Sequence, residues 1–393
     1  MHLVDIIHGY QPFTSVLMKP WVKDNLREVF LPTSESMKRG TIKQNVQLQG
    51  WTIDMYKKNS IGRKFLENLR QAARKHNITV GCSLYNHAIM PLLTDELLLE
   101  LIRIDYRTVK QSIGTPVFFF PPELAVDRRV LGILFDNFPG LVPVIPSLAV
   151  SSKESCVVNV IHRDKKHMCL AANVHLKDTL MNRTGSRKIA ESPMRSPANF
   201  RETLVMLDRT DVHILARDWE NGESRDALTG RKEKYVRGFY RYRKDFCLIT
   251  ELKAKKSISI ERIVPSCWEP LSSRENPYPY WIPKTDRTGV AKSWLALISL
   301  YEHAFSKLPN AEKNIDIIKE TSPALLSCVP WHYFSGGDID FAVELMEKIV
   351  KPRLLKLIEK VYDEKEQLEK LIKINELANR IVSISALDFP VSR

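Results

Sequence analysis

The apolar and polar positions divide the chain into two parts. Over roughly the first 250 residues, short apolar runs alternate with stretches whose apolar residues recur every three or four positions. The short runs predict strands and the longer stretches predict helices. The predicted strands are Leu3–Ile7, Val46–Leu48, Thr79–Cys82, Val117–Phe120, Val142–Ile145, Val157–Val160, Met168–Leu170 and Val212–Ala216. The helices predicted between them are Ile61–Lys75, Thr94–Ile113 and Leu124–Asn137.

A repeated strand–helix–strand order indicates a parallel sheet with helices outside it, either a barrel or a doubly wound sheet. Residues 265–284 are rich in proline and aromatic side chains and indicate a crossover between domains. Beyond them the pattern is helical, and no helix breaker after Pro352 separates the last two helices, which are compatible with one continuous helix. We therefore expect a barrel over residues 1–264 and a helical bundle over residues 285–393. The predicted helices of the bundle are Trp294–Phe305, Ala311–Leu326, Asp338–Glu366 and Gln367–Ile384.

Composition fits a cytoplasmic protein with a sizeable core. Hydrophobic residues make up 44% of 393 residues, and the sequence has no apolar run of about 20 residues that could span a bilayer. The first apolar run is too short for a secretory signal. The six cysteines are scattered without a Cys-x-x-Cys pair, which is typical of a reducing compartment.

The chain carries a formal net charge of +13, and its most basic stretch is Arg225–Lys256. Aromatic side chains between arginines could stack on nucleic-acid bases or on sugar rings. The alternative is a strand with alternate side chains in solvent, and a charge run by itself favours this alternative. We therefore do not expect a nucleic-acid partner.

Polar side chains follow several predicted strands directly. They are His8, His87, Glu123 and Asp218. In parallel α/β folds, the chemistry lies at the carboxyl ends of the strands. We expect these four residues to belong to one active site.

Glu123 follows three phenylalanines and two prolines. A rigid Pro-Pro turn would hold its carboxylate in one place, as a nucleophile requires. The alternative is a glutamate at a helix N-terminus, which the helix dipole favours.

Asp218 and Glu220 follow the last predicted strand of the barrel, with Arg217 before them. Strand alternation would place both carboxylates on one side, where their repulsion raises one pKa as an acid catalyst needs. The alternative is a surface ion pair between one of these carboxylates and an arginine.

His8 and His87 could instead bind a metal, as in a sugar deacetylase. A zinc site usually has three well-placed ligands, and no His-x-x-x-His or His-x-Asp spacing accompanies these two histidines. Paired carboxylates explain the set better, and we expect neither a metal nor another cofactor.

Five segments, in order along the chain, resemble the motifs of glycoside hydrolase family 57, the family of α-amylases and 4-α-glucanotransferases. The third aligns Glu123 with the family's nucleophile and the fourth aligns Asp218 with its acid/base. Tyr10 and Tyr333 depart from the family pattern. The segments are His8-Gly-Tyr-Gln-Pro12, Tyr85-Asn-His-Ala-Ile-Met-Pro91, the run ending in Pro-Pro-Glu123, Asp218-Trp-Glu220, and Trp331-His-Tyr-Phe-Ser-Gly-Gly337.

The resemblance implies an incomplete (β/α)7 barrel followed by a helical bundle that closes over the active site. It also implies a retaining, metal-free double displacement on an α-linked oligo- or polysaccharide, most simply an α-1,4-glucan, with hydrolysis and transfer both open. An α-galactosidase and a non-catalytic glycan-binding relative are the alternatives. The further candidates for substrate binding are His8, Gln11, His87, Trp219, Glu220, Trp281, Trp331 and His332, and for each tryptophan an ordinary buried aromatic is the alternative.

Overall fold

The computed structural model describes residues 2–9, 25–174, 210–219, 246–252, 257–269, 271–310 and 314–384. The chain forms two compact units. The barrel unit consists of residues 1–83 and 105–270, and the helical unit consists of residues 84–104 and 271–393. Residues 84–104, which the sequence places between two barrel strands, therefore group with the carboxyl-terminal helices.

The described part of the barrel unit contains one mostly parallel sheet. Its strands are β1 (His2–Gly9), β2 (Gln44–Leu48), β3 (Ile78–Cys82), β4 (Phe118–Phe119), β5 (Val142–Pro146), β6 (Cys156–His162), β7 (Lys165–Ala172), β8 (Val212–Asp218) and β9 (Ile258–Ile260). Their order in the sheet is β8-β1-β2-β3-β4-β5-β7-β6-β9. Every predicted strand is present, and β9 is an addition at the edge.

Helices follow the strands along the chain, as a strand–helix repeat requires. In the amphipathic helix that precedes β3, the apolar positions Phe65, Leu66, Leu69 and Ala72 are buried. The side chain of Asn59 caps its amino terminus by accepting a hydrogen bond from the Gly62 N–H at 2.6 Å. The described helices are α1 (Leu31–Arg39), α2 (Gly50–Tyr56), α3 (Ser60–Arg74), α4 (Asp95–Ser112) and α5 (Arg128–Asn137).

The inner face of the sheet holds the apolar core of the barrel unit. Val4 and Ile6 on β1 are fully buried there with Phe118 and Phe120. Gly81 faces the same interior, where an added Cβ would lie 2.3 Å from the Phe118 ring. Since β2 and β3 separate β1 from β4 in the sheet, contact between residues of β1 and the end of β4 requires a curled sheet.

Two contacts demonstrate this curl. The rings of His8 and Phe120 stack with their centroids 5.0 Å apart. The Ile214 N–H on β8 donates to the Ser155 hydroxyl, next to β6, at 3.1 Å. A curled, mostly parallel sheet with helices is the incomplete (β/α)7 barrel that the sequence predicts, and the fold class is confirmed.

The sheet departs from a purely parallel arrangement at β6 and β7, which form an antiparallel hairpin. The two residues between them, Arg163 and Asp164, both have positive φ values, 47° and 62°. Such a pair makes the tight turn whose twist matches a hairpin. Neither residue is glycine, so the usual sequence signal for this turn is missing, and the expectation of parallel strands is wrong here.

The described part of the helical unit is mostly α-helical, with helices of 7 to 19 residues. The prediction of one continuous helix at the end of this unit is wrong, because the backbone of Tyr362 is extended, with φ −115° and ψ 152°. Asp363 then caps a new helix by accepting the Glu366 N–H at 3.0 Å. The helices are α6 (Val290–Ser306), α7 (Ile315–Thr321), α8 (Cys328–Phe334), α9 (Ile339–Leu345), α10 (Lys351–Val361) and α11 (Glu364–Val382), with a π-helical turn at Met346–Val350.

The helix predicted over residues 311–326 is shorter in the structure. It begins at Ile315, and a 3₁₀ turn with Pro323 near its start follows it. Proline lacks the N–H that a continuing helix needs. None of the described helices is long and apolar enough to cross a membrane.

Candidate active site

The carboxyl ends of β1 and β8 lie side by side. His8 and Asp218 are register partners in this parallel pair. The Trp219 N–H extends the pairing by donating to the His8 carbonyl at 2.8 Å. Because strand side chains alternate, both residues lie on the same face of the sheet as Ile6 and Ala216, which belong to the barrel core. The structure therefore places the imidazole of His8 and the carboxylate of Asp218 next to each other at this edge of the sheet.

His8 is almost fully buried, with 2% of its surface exposed. Its Nδ1 is hydrogen-bonded to the amide oxygen of Gln47, the register partner of His8 on β2. Its ring face stacks on Phe120 with an interplanar angle of 7°. The hydrogen bond and the stacking contact together fix the position and orientation of the imidazole ring, as a residue that orients a ligand requires.

Glu123 lies in a turn directly after β4. Its backbone is left-handed, with φ 55° and ψ 18°, and Leu124 follows with φ 48°. For residues other than glycine this conformation costs about 1–2 kcal/mol each. The buried Leu124 side chain belongs to the barrel core, so packing holds the strained turn in place. Backbone strain at a carboxylate supports a functional role for Glu123.

A segment far along the chain stabilises this turn. Val126 forms an antiparallel bridge with Ser266, with N–H···O distances of 2.9 and 3.1 Å. The Trp268 N–H donates to the Glu123 carbonyl at 3.0 Å. The indole Nε1–H of Trp268 donates to Oε2 of Glu123 at 2.5 Å. Backbone and carboxylate of Glu123 are thus both held by one tryptophan.

Trp268 also connects Glu123 with His8. Its ring lies edge-on to Phe120 with centroids 5.8 Å apart, and Phe120 stacks on His8. Glu123 and Asp218 are both half-buried, so each residue packs partly against the protein interior and keeps part of its surface accessible to a ligand. The arrangement provides two carboxylates at strand ends, one of them oriented by a charge-assisted hydrogen bond.

Removing the indole donor should reduce catalysis more than stability. For Trp268→Phe we expect kcat to fall by about tenfold with little change in KM, because the carboxylate of Glu123 loses the group that orients it. Steady-state kinetics on the glycan that the motif resemblance implies measures this split. Trp294→Phe is the control, since this fully buried indole on α6 has no hydrogen-bond partner among the described residues. Equal kinetic effects of the two substitutions would contradict the assignment.

Arg217 lies on the opposite face of β8 from Asp218. Its ion pair with Asp5 is buried: Arg217 and Asp5 are 2% and 1% exposed. Nε and one terminal nitrogen of Arg217 donate to the two Asp5 oxygens, each at 2.9 Å. Asp218 is thus flanked by a buried ion pair that fixes β8 against β1.

In the helical unit, His87 is buried and is held by Ser327. Its Nδ1 is hydrogen-bonded to the Ser327 hydroxyl at 2.9 Å, and its carbonyl accepts the Ser327 N–H at 2.9 Å. The Ser327 carbonyl accepts the Trp281 indole N–H at 3.0 Å. Asn86, next to His87, donates to the Ser322 carbonyl at 2.5 Å. The second motif is therefore fastened to the carboxyl-terminal helices.

The fifth motif forms α8 and the turn after it. Burial lowers the pKa of His332 to about 4, so its ring is neutral near pH 7. Its Nδ1 accepts the Asp338 N–H at 3.1 Å. A Cβ at Gly337 would lie 2.6 Å from that nitrogen, which explains the glycine. Tyr333 donates its hydroxyl to the Ile381 carbonyl at 2.7 Å, and burial raises its pKa to about 12.

The candidate tryptophans differ in exposure. Trp219 and Trp281 are fully buried, and Trp219 packs against Phe30 and Phe65. The Trp219 ring is occupied by these aromatic contacts and the Trp281 indole N–H by the Ser327 carbonyl, so for these two the structure favours the packing alternative. Trp331 is half-buried and keeps part of its surface accessible.

Two candidates, Gln11 and Glu220, lie outside the described residues, as does most of the basic stretch Arg225–Lys256. Trp268 and Gln47 are the site residues that sequence reasoning missed. Trp268 stands in the proline- and aromatic-rich segment, whose composition marks it as unusual but not as a contact of Glu123. Among the described residues, no group of three or more His, Cys, Asp or Glu side chains is placed to hold a metal ion.

Glycoside hydrolases are one class of protein that carries paired carboxylates at the strand ends of such a barrel. Residues 7–138 match the family model of glycosyl hydrolase family 57. The resemblance to this family that the motifs carry is thereby confirmed over these residues. Comparison with curated protein sequences found no match.

Solved structures show the same fold. The 4-α-glucanotransferase of Thermococcus litoralis matches with a TM-score of 0.67 and 12% identity, over 93% of this chain and 60% of its own. The family 57-type branching enzyme of Pyrococcus horikoshii matches with 0.64 and 11%, over 99% and 98%. The α-amylase of Thermotoga maritima matches with 0.62 and 10%, over 98% and 99%. This chain therefore spans 60% of the glucanotransferase's length and nearly all of the other two.

Proposed function

We propose that the protein is a retaining glycoside hydrolase or transglycosylase acting on α-linked glucans. The observation that supports this most is Glu123, held in a left-handed turn by Trp268 after β4, on a sheet whose β8 ends in Asp218. A purely structural glutamate needs neither a strained backbone nor a dedicated indole donor. The family 57 match over residues 7–138 supports the same chemistry.

In the proposed mechanism, Asp218 is protonated at the start and donates its proton to the glycosidic oxygen as the bond breaks. Glu123 attacks the anomeric carbon and forms a covalent glycosyl-enzyme. Asp218 then removes a proton from water or from an acceptor hydroxyl, which displaces Glu123. Two inversions retain the anomeric configuration, and the carboxyl groups should lie about 5–5.5 Å apart in the substrate complex.

The choice of an α-glucan rests on the proteins of similar fold, a 4-α-glucanotransferase, a branching enzyme and an α-amylase. His8, fixed by Gln47 and Phe120 beside Asp218, is the barrel residue that we propose to contact the sugar at the cleavage point. Its rigid ring can form a directed hydrogen bond to one hydroxyl group, which favours one sugar configuration over its epimer.

The test is incubation of the protein with maltooligosaccharides, starch, glycogen and aryl α-glucosides and α-galactosides, followed by separation of the products. Glucans that shorten or disproportionate would support the proposal. Cleavage of the galactosides alone would assign an α-galactosidase activity instead. Binding of glucans without any product would indicate a non-catalytic relative.

Asp218→Asn provides a second, independent prediction. Without the proton donor, activity on natural glucans should fall by about 10²–10⁴-fold. Aryl glucosides with acidic leaving groups need little protonation, so bond cleavage on them should fall much less. Comparison of kcat/KM on both substrate types measures the difference. Equal losses on both would contradict the acid/base role.

A further inference from the structure

A cavity opens at the end of the barrel unit opposite the carboxylates. It lies beside the amino-terminal half of β3, the last turns of α3 and α4, and the segment that leads into β4. Its volume is about 600 Å³, which lies within the range of about 300–1,000 Å³ for small-molecule sites. Glu123 and Asp218 follow the carboxyl ends of their strands, so the cavity is separate from the proposed active site.

The ionisable side chains that line the cavity are all basic. Arg70, Arg74, Lys110 and His76 contribute to its lining, and no acidic side chain among the described residues does. Arg70 is paired with Glu67, whereas Arg74 and Lys110 form no ion pair with any described residue. Both are exposed at the cavity mouth. Concentrated positive charge in a concave site attracts an anion.

Thr79 on β3 provides an independent observation. It lines the cavity and is 4% exposed, and its hydroxyl has no hydrogen-bond partner among the described residues. An unpartnered buried hydroxyl is unfavourable, and native proteins contain few of them. A ligand oxygen in the cavity would supply the missing partner.

His76 adds a third. It follows α3 with φ 57°, and its N–H donates to the Ala73 carbonyl at 3.0 Å. Glycine is the usual residue at this left-handed position after a helix, because other residues are strained there. Here the strained position carries an imidazole that lines the cavity.

We propose that this cavity binds a small organic phosphate, a phosphate group on a polyhydroxylated body. Arg74 and Lys110 bind the phosphate, since guanidinium and ammonium groups are the usual phosphate ligands. The buried Thr79 provides a hydrogen bond deeper in the cavity, and the exposed His76 provides one at its rim. The cavity also has uncharged polar side chains, Gln111, Thr115 and Thr250, which suit hydroxyl groups. Sugar phosphates and nucleotides share this chemistry.

The experiment is isothermal titration calorimetry of the full chain with glucose-6-phosphate and with AMP, using glucose, adenosine and inorganic phosphate as comparisons. Saturable binding of one phosphate ester, stronger than that of its unphosphorylated body, is expected and identifies the source. Arg74→Glu and Lys110→Glu should each weaken it by about tenfold or more. Lys58→Glu makes the same charge change at an exposed position outside the cavity and should leave binding unchanged.

Thr79→Val and His76→Gly separate a built site from general charge attraction. Thr79→Val removes a hydroxyl that has no hydrogen-bond partner in the part of the chain that the structure describes, and it should weaken binding several-fold without lowering Tm. His76→Gly should also weaken binding, while the relief of backbone strain raises Tm. Absence of saturable binding to either ester would overturn the proposal. Binding that is as strong in all four cavity variants as in Lys58→Glu would also overturn the proposal. The basic side chains would then only compensate the negative ends of the helix dipoles.

Discussion

Replacing Glu123 by glycine is expected to lower kcat on an α-glucan by about 10⁴-fold or more while the fold stays intact. The substitution removes the proposed nucleophile, without which the first displacement has no partner. Glycine suits the backbone at this position, since φ is 55° and a residue without Cβ adopts that conformation freely. The loss should therefore appear in kinetics and not in thermal unfolding, which circular dichroism measures.

Azide should restore part of the activity of Glu123→Gly. The vacated space admits a small anion that attacks an activated α-glucoside from the face that the carboxylate used. One displacement inverts the anomeric carbon, so the product should be a β-glucosyl azide, which NMR identifies. Glu123→Gln is the matched control: it retains an oxygen to accept the Trp268 indole N–H but fills the space and should not be rescued. Unchanged activity in Glu123→Gly would end the assignment.

The strands could be predicted because each is a short apolar run whose neighbours are polar or turn residues. The pairing register of the strands follows from the same property. A shift of β1 by one residue would turn Ile6 and His8 to the outer face of the sheet. Burial of the apolar face therefore fixes the register in which His8 lies opposite Asp218. The β6–β7 hairpin could not be predicted in this way, because its turn depends on two left-handed residues that are not glycine. The end of α10 was missed because an aspartate cap, without proline or glycine, starts α11.

The candidate site was only partly predictable for a related reason. Glu123 is marked locally by the prolines before it, and a local signal is visible in a sequence. Its indole donor, Trp268, is 145 residues away, and no periodicity links the two. The left-handed backbone at Glu123 is equally invisible, because its cost is offset by packing of Leu124 and by the bridge between Val126 and Ser266.

The ion pair between Asp5 and Arg217 is the buried interaction that fixes the strand carrying Asp218. Its geometry is bidentate, with both distances 2.9 Å, and Gln44 donates to Oδ2 of Asp5 at 2.8 Å. In a buried pair, desolvation offsets much of the attraction, so the pair as a whole adds little net stability. Loss of one partner is different, because it leaves an uncompensated charge in the interior.

Arg217→Met is therefore expected to lower the free energy of unfolding of the barrel unit by about 3–5 kcal/mol. The double variant Asp5→Leu/Arg217→Met removes both charges and should be more stable than Arg217→Met alone. Urea unfolding followed by tryptophan fluorescence measures all three proteins.

Lys356→Met is the control for loss of a single cation. Lys356 pairs with Glu320 at the surface, where the two side chains are 44% and 52% exposed, and its loss should cost no more than about 1 kcal/mol. In Arg217→Met, the adjacent Asp218 should also shift, so kcat should fall together with stability and recover in part in the double variant. If Arg217→Met unfolds at the same urea concentration as Lys356→Met, the buried pair does not fix β8, and the position of Asp218 must depend on other contacts.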